Sequence, residues 1–229
     1  VILLLGGVLV LMVRLHAGGT EARDKDASND NVWNAFGASL RNESVATAYY
    51  GAFALMFAMG ALTFSLPLKA EALGLPDQAA GMMLSVFGVV AISFFVLPSN
   101  RWFDTVSPLR LSAAGGATVL VSLCVLSMTD HQLGMFAIMG FYGLGFALLF
   151  PTLNSLLVNN VDPVHKGKAF GMFYAFFSIG VVGGSSGLSA FTGDYDLALR
   201  LAVGFLLVTC SILGVWGNRR RRGRGSTTY

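Results

Sequence analysis

Aromatic side chains recur at helical spacing in three apolar stretches of the chain, together with a few tyrosines and asparagines. Tyr50, Phe53 and Phe57 follow one another at three and four residues, so they share one face of a helix. Such a face accepts flat apolar molecules and organic cations, while hydroxyl and amide groups orient a ligand. For a single phenylalanine, packing against lipid or a neighbouring helix is the commoner use. The predicted substrate-cavity residues are Tyr50, Phe53, Phe57, Tyr142, Phe146, Asn154, Tyr174 and Phe177.

Ionisable side chains, by contrast, are absent from the middle of the long apolar stretches. His16, His131 and His165 all fall in or beside polar segments, where a solvent-facing histidine is the ordinary case. These stretches hold no Ser/His pair, paired carboxylates or metal-spaced His and Cys, so we expect no enzyme activity, metal or cofactor. P-loop and dinucleotide fingerprints are also absent, and no nucleic-acid partner is expected. If the protein is coupled to protons, we expect the titrating residue to lie outside these residues.

Six charge-free runs must position the aromatic residues, and each is about as long as a bilayer-spanning helix. Apolar residues make up 55% of the chain and charged residues 12%, which is about half the charged share of a soluble protein. Cys124 and Cys210 both lie inside apolar runs, so no disulfide framework is expected. The sequence therefore predicts an all-α integral membrane fold. The runs are Ser44 to Leu68, Gln78 to Asn100, Leu111 to Thr129, Gln132 to Val161, Ala169 to Gly193 and Leu201 to Asn218.

The polar and basic segments predict how the chain is divided and oriented. Residues 1–15 are apolar but too short to cross a bilayer, and no basic region precedes them. We interpret them as the end of a truncated transmembrane helix rather than a signal peptide. Residues 16–44 are predicted to form a linker, 45–218 a six-helix bundle and 219–229 a basic tail. We predict that the linker and the tail lie on the cytoplasmic side of a plasma (inner) membrane. Of the 15 Lys and Arg residues, only Lys69 and Arg200 then lie on the outer side, as the excess of basic residues in cytoplasmic loops requires.

The loop between the second and third runs holds a group of charges, Arg101, Asp104 and Arg110. A carboxylate near a helix end accepts hydrogen bonds from backbone N–H groups and pairs with arginines, and such contacts form in one conformation and break in another. We interpret this segment as a gating loop. The alternative is a solvated loop in which Asp104 and Arg101 only neutralise one another, a pairing that contributes little energy.

Glycines in the fifth run and a proline in the fourth mark special backbone positions. Gly180 with Gly184, and Gly183 with Gly187, form small-xxx-small pairs, which allow another helix to approach to backbone contact. Pro151 removes a backbone donor and clashes one turn back, so its helix is expected to bend there. The bend is either a hinge or a static kink, because membrane helices commonly tolerate proline.

The whole arrangement resembles the C-terminal half of a major facilitator superfamily transporter, with the end of a sixth helix, a cytoplasmic linker, helices seven to twelve and a basic tail. The loop around Asp104 is similar to a weakened second copy of the family's motif A. Asn100 and Ser107 stand in place of its glycines and Thr105 in place of a basic residue. The glycine run from Gly180 is similar to the antiporter motif of drug:proton antiporters.

This resemblance implies a second, N-terminal six-helix half that is missing from the sequence and that encloses a central cavity with this one. It also implies a secondary transporter in the lipid bilayer that exports drugs or small amphipathic metabolites by proton antiport through alternating access. A sugar or organic-acid permease of the same fold remains open, although an anionic substrate would want a buried Arg or Lys. A non-transporting six-span receptor or scaffold also remains open.

Overall fold

The computed structural model describes residues 42–96 and 108–187, together with residues 200, 203 and 204. These residues form helices and short turns, with no β-strand among them. A 3₁₀ turn, Pro163–His165, precedes the fifth helix, and a π-helical turn, Gly183–Gly187, follows it. The helices are α1 (Glu43–Ala72), α2 (Ala79–Val96), α3 (Pro108–Met128), α4 (Gln132–Asn160) and α5 (Lys166–Val182).

The all-α membrane fold predicted from the charge-free runs is confirmed. Five helices in the described part of the chain are long and apolar enough to cross a bilayer. Each coincides with one of the first five predicted runs. Most of the sixth run, all of residues 1–41 and the tail at residues 219–229 lie outside the described residues. The predicted truncated helix, nearly all of the linker and the last span therefore stay predictions.

Local sequence signals account for both ends of α1. The side chain of Asn42 caps its start, because Oδ1 accepts a hydrogen bond from the Ser44 backbone N–H at 3.1 Å. Gly74 follows its end with a φ of 67°, a left-handed conformation that favours glycine after a helix. Between these signals the helix continues past the charge-free run that predicted it, and it includes Lys69.

α1 and α4 are the central helices of the described bundle. α1 packs against α4, α5 and the π-helical turn, while α4 packs against α1, α2 and α3. In the apolar stretch of α1, 61% of the residues are buried inside the bundle. The corresponding share is 22% in α2 and 22% in the span that contains α5. α1 and α4 run antiparallel, since Asn42 Nδ2 donates a hydrogen bond to the Asn160 carbonyl at 3.2 Å. The start of α1 and the end of α4 therefore lie at the same end of the bundle.

α3 and α4 approach to backbone contact at Gly115 and Gly145. A Cβ atom added at Gly115 would lie 2.9 Å from the backbone N of Leu149, and one added at Gly145 would lie 2.9 Å from the backbone N of Val119. Both distances are shorter than the optimal separation of non-bonded heavy atoms, so these positions have no room for a side chain. Close packing through small residues is a principal source of helix association in lipid.

Candidate functional site

Eight aromatic rings from α2, α4 and α5 form a continuous chain of ring contacts, called the aromatic chain below. Phe87 of α2 contacts both Tyr142 and Phe146 of α4, with ring centroids 5.5 and 5.4 Å apart. Phe146 stacks on Phe150 at 5.7 Å with an interplanar angle of 7°. Phe150 meets Phe177 of α5 edge-on at 6.3 Å. The chain continues through Tyr174, Phe173 and Phe170.

Four predicted cavity residues belong to the aromatic chain: Tyr142, Phe146, Tyr174 and Phe177. Phe87 and Phe150 connect them, and neither is among the predicted cavity residues. Phe150 follows Phe146 by four residues, a helical spacing that is a usable signal for a shared face. Phe87 has no aromatic neighbour at helical spacing in the stretch before it, so only its tertiary contacts reveal its place.

Tyr50 and Tyr174 present exposed rings on α1 and α5. The Tyr50 ring meets Phe176 of α5 edge-on, with the centroids 6.5 Å apart. Asn154 is partly buried, and its Nδ2 donates to the Phe150 carbonyl at 2.9 Å, so this amide N–H is bonded to its own helix. The exposed tyrosines are therefore the predicted residues with the most accessible hydroxyl groups.

Tyr142 lies inside the helix bundle rather than on an exposed face. Its side chain is 1% exposed, and its ring packs edge-on against Phe87. The hydroxyl group has no hydrogen-bond partner among the described residues. Tyr142 thus differs in environment from Tyr50 and Tyr174, the other two tyrosines predicted to line the cavity.

Phe53 and Phe57 lie where α1 meets Gly180 of α5 and Gly184 of the π-helical turn that follows it. A Cβ atom added at Gly180 would lie 2.5 Å from the Phe53 carbonyl oxygen, and one added at Gly184 would collide with the Phe57 carbonyl oxygen. Gly60 of α1 makes the reciprocal contact with the α5 backbone. Residue numbers rise together along both helices at these contacts, so α1 and α5 run in the same direction at backbone distance.

Gly183 and Gly187, the other predicted packing pair, lie in the π-helical turn. A Cβ atom added at Gly183 would lie 3.5 Å from the Phe57 ring, which is an ordinary van der Waals distance. Gly183 is therefore less strictly required to be glycine than Gly184. Wider helical turns of this kind are frequent at functional sites, and this one lies directly against α1.

Pro151, the predicted hinge, lies inside α4, and the helix continues through it. Its missing N–H removes one backbone hydrogen bond from the helix interior. The next residue, Thr152, donates from Oγ1 to the Leu148 carbonyl at 2.7 Å. α1 contains an interior proline as well, Pro67. Each of the two central helices therefore has a proline break in its backbone hydrogen bonding.

Lys69 is a buried ammonium group near the end of α1. Its side chain is 1% exposed, and Nζ donates to the carbonyls of Leu126 and Ser127 at 2.9 and 3.3 Å. It also pairs with Asp130 Oδ1 at 3.3 Å, where the Asp130 side chain is 75% exposed. A cation satisfies the terminal carbonyls of a helix and complements its dipole, so Lys69 caps α3. The first charge-free run ends at Leu68, so the sequence predicts Lys69 in the loop that follows. In the structure α1 continues to Ala72 and includes Lys69.

An apolar groove of about 530 Å³ opens between α3 and α4. Its two hydroxyl groups belong to Thr118 and Ser122, and each donates to a carbonyl of its own helix, at 2.9 and 2.8 Å. The groove therefore suits hydrocarbon better than a polar ligand. None of its residues is among the predicted site residues, because small aliphatic side chains on a membrane helix carry no specific signal. The lining residues are Ala117, Thr118, Val121, Ser122, Val125, Ala137, Ile138 and Phe141.

Of the three predicted gating residues, the structure describes Arg110 alone. It lies exposed in the first turn of α3, two residues after Pro108. Arg101 and Asp104 lie outside the described residues. The pairing of the three side chains therefore stays a prediction.

Charged residues of the described helices lie near helix ends. Within residues 42–96 and 108–187, no group of three His, Cys, Asp or Glu side chains is placed to hold a metal ion. The middle of each described span is formed by apolar, aromatic and small polar residues. The charged residues are Glu43, Lys69 and Glu71 in α1, Arg110 in α3, and Lys166 and Lys168 in α5.

Comparison with known proteins places these five helices in a family. The model of the Major Facilitator Superfamily matches residues 1–185, a range that includes all of α1 to α5. No curated protein matches the sequence. Members of this superfamily are transporters that move solutes through bundles of membrane-spanning helices.

Proposed function

Because this chain belongs to the Major Facilitator Superfamily, we propose that it forms part of a secondary transporter that exports drugs or small amphipathic metabolites in exchange for protons. Family membership and the five apolar helices make it a multi-pass membrane protein of a transporter family. The aromatic chain from Phe87 to Phe170 is the observation that supports export of such compounds. Ring faces bind flat apolar molecules and organic cations without requiring one fixed pattern of hydrogen bonds.

The charge distribution supports an uncharged or cationic substrate over an anionic one. An anion at membrane depth requires a buried cation as its partner. The buried cation of the described spans, Lys69, lies near a helix end and donates to carbonyls of α3. Tyr50 and Tyr174 instead offer exposed rings with hydroxyl groups, which suit an amphipathic ligand that is neutral or positively charged.

Proton coupling requires a titrating group at membrane depth. No Asp, Glu or His lies in the middle of a described span. We therefore assign the proton carrier to a second six-helix half that encloses the cavity together with this bundle. In this arrangement the exposed rings of α1 and α5 form one wall of the cavity.

Alternating access would proceed by rocking of the two halves around the cavity. In this proposal the linker at residues 16–44 and the tail at residues 219–229 lie on the cytoplasmic side of a plasma (inner) membrane. The loop around Asp104 then lies on the same side. There Arg101, Asp104 and Arg110 would stabilise one closed state through contacts that break in the other. Pro151 would let α4 bend during the exchange.

The test uses inverted membrane vesicles from bacterial cells that express this chain together with the second six-helix half. The lumen is acidified, and a pH-sensitive dye follows the lumenal pH. Adding ethidium or rhodamine 6G is expected to release lumenal protons. Tyr174→Ala should raise the half-saturating dye concentration roughly fivefold, since an aromatic contact of about 1 kcal/mol is lost. Phe141→Ala is the matched control, because Phe141 is an exposed ring of the α3–α4 groove outside the aromatic chain.

Three other outcomes contradict parts of the proposal. Dye transport without proton release rejects antiport. Flux of sugars or organic acids without a response to the dyes supports the permease alternative. Absence of any flux from correctly inserted protein, with a broad panel of compounds, supports the non-transporting alternative.

A further inference from the structure

Two buried hydroxyl groups in the described part of the chain hydrogen bond to no described residue. They are Ser65 Oγ of α1 and Tyr142 Oη of α4. Ser65 is 0% exposed and Tyr142 is 1% exposed. A hydroxyl group without a partner is costly in an apolar environment, and buried polar groups therefore nearly always have one. Each hydroxyl thus indicates a binding position for a polar ligand.

By helical geometry both residues return toward the side that α1 and α4 share, while the Tyr142 ring also contacts Phe87 of α2. A Cβ atom added at Gly51 of α1 would lie 2.5 Å from Leu153 Cδ2 of α4, so these residues mark the facing sides of the helices. Ser65 follows Gly51 by about four helical turns, and Tyr142 precedes Leu153 by about three. Each residue therefore returns to within roughly 40° of the side that faces the other helix.

The two hydroxyl groups also lie at similar depth. The helices are antiparallel, so Ser65 lies about 21 Å and Tyr142 about 17 Å along the bundle from the Gly51–Leu153 contact, at 1.5 Å per residue. Side chains of a helix lean toward its N-terminus. For α4 this direction leads toward the level of Ser65, and for α1 it leads toward the level of Tyr142. The lean of both side chains reduces the remaining offset.

Two charged groups lie between the level of Ser65 and the surface of the bundle. Lys69 lies four residues after Ser65 on the same face of α1. Its Nζ reaches the Asp130 carboxylate at 3.3 Å, and that side chain is 75% exposed. Lys69 thus lies between the exposed Asp130 carboxylate and the Ser65 hydroxyl, which is one helical turn deeper.

We propose that the α1–α4 interface contains a buried water site in which Ser65 Oγ and Tyr142 Oη bind the same water molecule, supplied from the Lys69–Asp130 end. Water is the ligand that fits, because it both donates and accepts and is small enough for a closely packed interface. A contact bridged by water can exchange its partner when helices slide, whereas interlocked apolar side chains must separate. The site lies between the two central helices and does not depend on the identity of the transported substrate.

Thermal unfolding of the chain in detergent tests whether each of the two hydroxyl groups stabilises or destabilises the folded chain. If Ser65 and Tyr142 share a water, Ser65→Ala and Tyr142→Phe each lower the melting temperature by roughly 2–4 °C, as loss of one hydrogen bond predicts. The double variant should lower it by less than the two single shifts added together, because both hydroxyls serve one ligand. A rise in the melting temperature on either single substitution overturns the proposal, because it would mean that an isolated hydroxyl had been removed.

Radiolytic footprinting in ¹⁸O-labelled water tests for the ligand itself. Radicals formed from a bound water modify the side chain beside it, so Tyr142 should be labelled despite its burial. Tyr49 is the matched control, since it is also 1% exposed but donates its hydroxyl hydrogen to the Ala169 carbonyl at 3.3 Å. We expect labelling of Tyr142 several-fold above Tyr49, with loss of the excess in Ser65→Ala. Equal labelling of Tyr142 and Tyr49 overturns the proposal. Equal labelling is also the result expected if Ser65 and Tyr142 hydrogen bond directly to each other with no water between them.

Discussion

At the scale of single residues, Lys69 shows how a membrane helix holds a buried cation. The ammonium group donates hydrogen bonds to two of the last carbonyls of α3, those of Leu126 and Ser127, and the Leu126 carbonyl also accepts from the Thr129 N–H at 3.4 Å. Asp130 contributes the opposite charge from an exposed position. The carbonyls are buried partners and the carboxylate is a solvated one, so the two kinds of contact should differ in strength.

Lys69→Met should therefore destabilise the chain more than Asp130→Asn. The methionine keeps an unbranched stem but removes the charged donor that reaches the Leu126 and Ser127 carbonyls, at an expected cost of about 1.5–3 kcal/mol. Asp130→Asn is the control and should cost about 0–1 kcal/mol, since an exposed ion pair is screened. Denaturant unfolding in detergent measures both values. Equal effects of the two substitutions would contradict the role of Lys69 as a cap of α3.

At Gly184, in the π-helical turn that follows α5, the close approach of α1 leaves no room for a side chain. Gly184→Ala should lower the free energy of unfolding by about 1–3 kcal/mol, because the new methyl group meets backbone atoms that cannot rotate away. Gly171→Ala on α5 is the matched control, because nothing lies within 4 Å of an added Cβ there. It should be neutral or stabilising by up to about 1 kcal/mol. An unchanged stability of Gly184→Ala would show that the helices separate easily at this point.

At the scale of elements, the two central helices share one property, an interior proline. Pro67 and Pro151 each interrupt the backbone ladder of a helix that packs against several others. Around Pro151, the Thr152 hydroxyl donates to a carbonyl one turn back, which supplies a side-chain hydrogen bond within the interrupted stretch. Such a segment bends at lower cost than a continuous ladder.

Pro151→Ala tests whether that bend is used in transport. Restoring the N–H should stiffen α4, so the melting temperature is expected to stay the same or rise, while the rate of proton-coupled dye flux falls several-fold. Pro163→Ala, in the 3₁₀ turn outside α4, should leave the rate unchanged. A normal flux rate in Pro151→Ala would identify a static kink.

Helix positions were largely predictable from the sequence, and helix partners were not. Span boundaries follow from hydrophobicity, because a bilayer accepts only segments whose backbone is fully hydrogen bonded. The extension of α1 through Lys69 depends on a carbonyl 57 residues away, which no local pattern reveals. The spacing of Gly180 and Gly184 marks a face for close packing, but it does not name α1 as the helix that occupies it.

At the scale of the whole molecule, the aromatic chain joins helices that are distant in sequence. Phe87, Phe150 and Phe177 come from three helices, and the chain depends on their simultaneous packing. Helical spacing within one stretch predicts rings of α4 and α5, such as Tyr142 and Tyr174, but not the ring of α2 that connects Tyr142 to Phe146. Tertiary contact, rather than periodicity, places that residue.

Phe150→Leu should interrupt the aromatic chain between α4 and α5 while keeping a large apolar side chain. We expect the half-saturating concentrations of several chemically different dyes to rise together, by roughly threefold to tenfold, because ring contacts are lost without loss of any single hydrogen bond. Phe141→Leu in the α3–α4 groove is the control. A change confined to one dye would argue for a specific contact rather than a shared aromatic wall.

The distance in sequence between Lys69 and its acceptors has a consequence for synthesis in the cell. Ribosomes add about 5–20 residues per second, so the Leu126 carbonyl is made about 3–11 s after Lys69. During that interval the ammonium group is better solvated at the membrane surface than in hydrocarbon. The end of α1 is therefore expected to reach its final depth in the membrane only after α3 has been inserted. The contacts between α1 and α3 would then form after insertion of both helices, and not while each helix enters the membrane in turn.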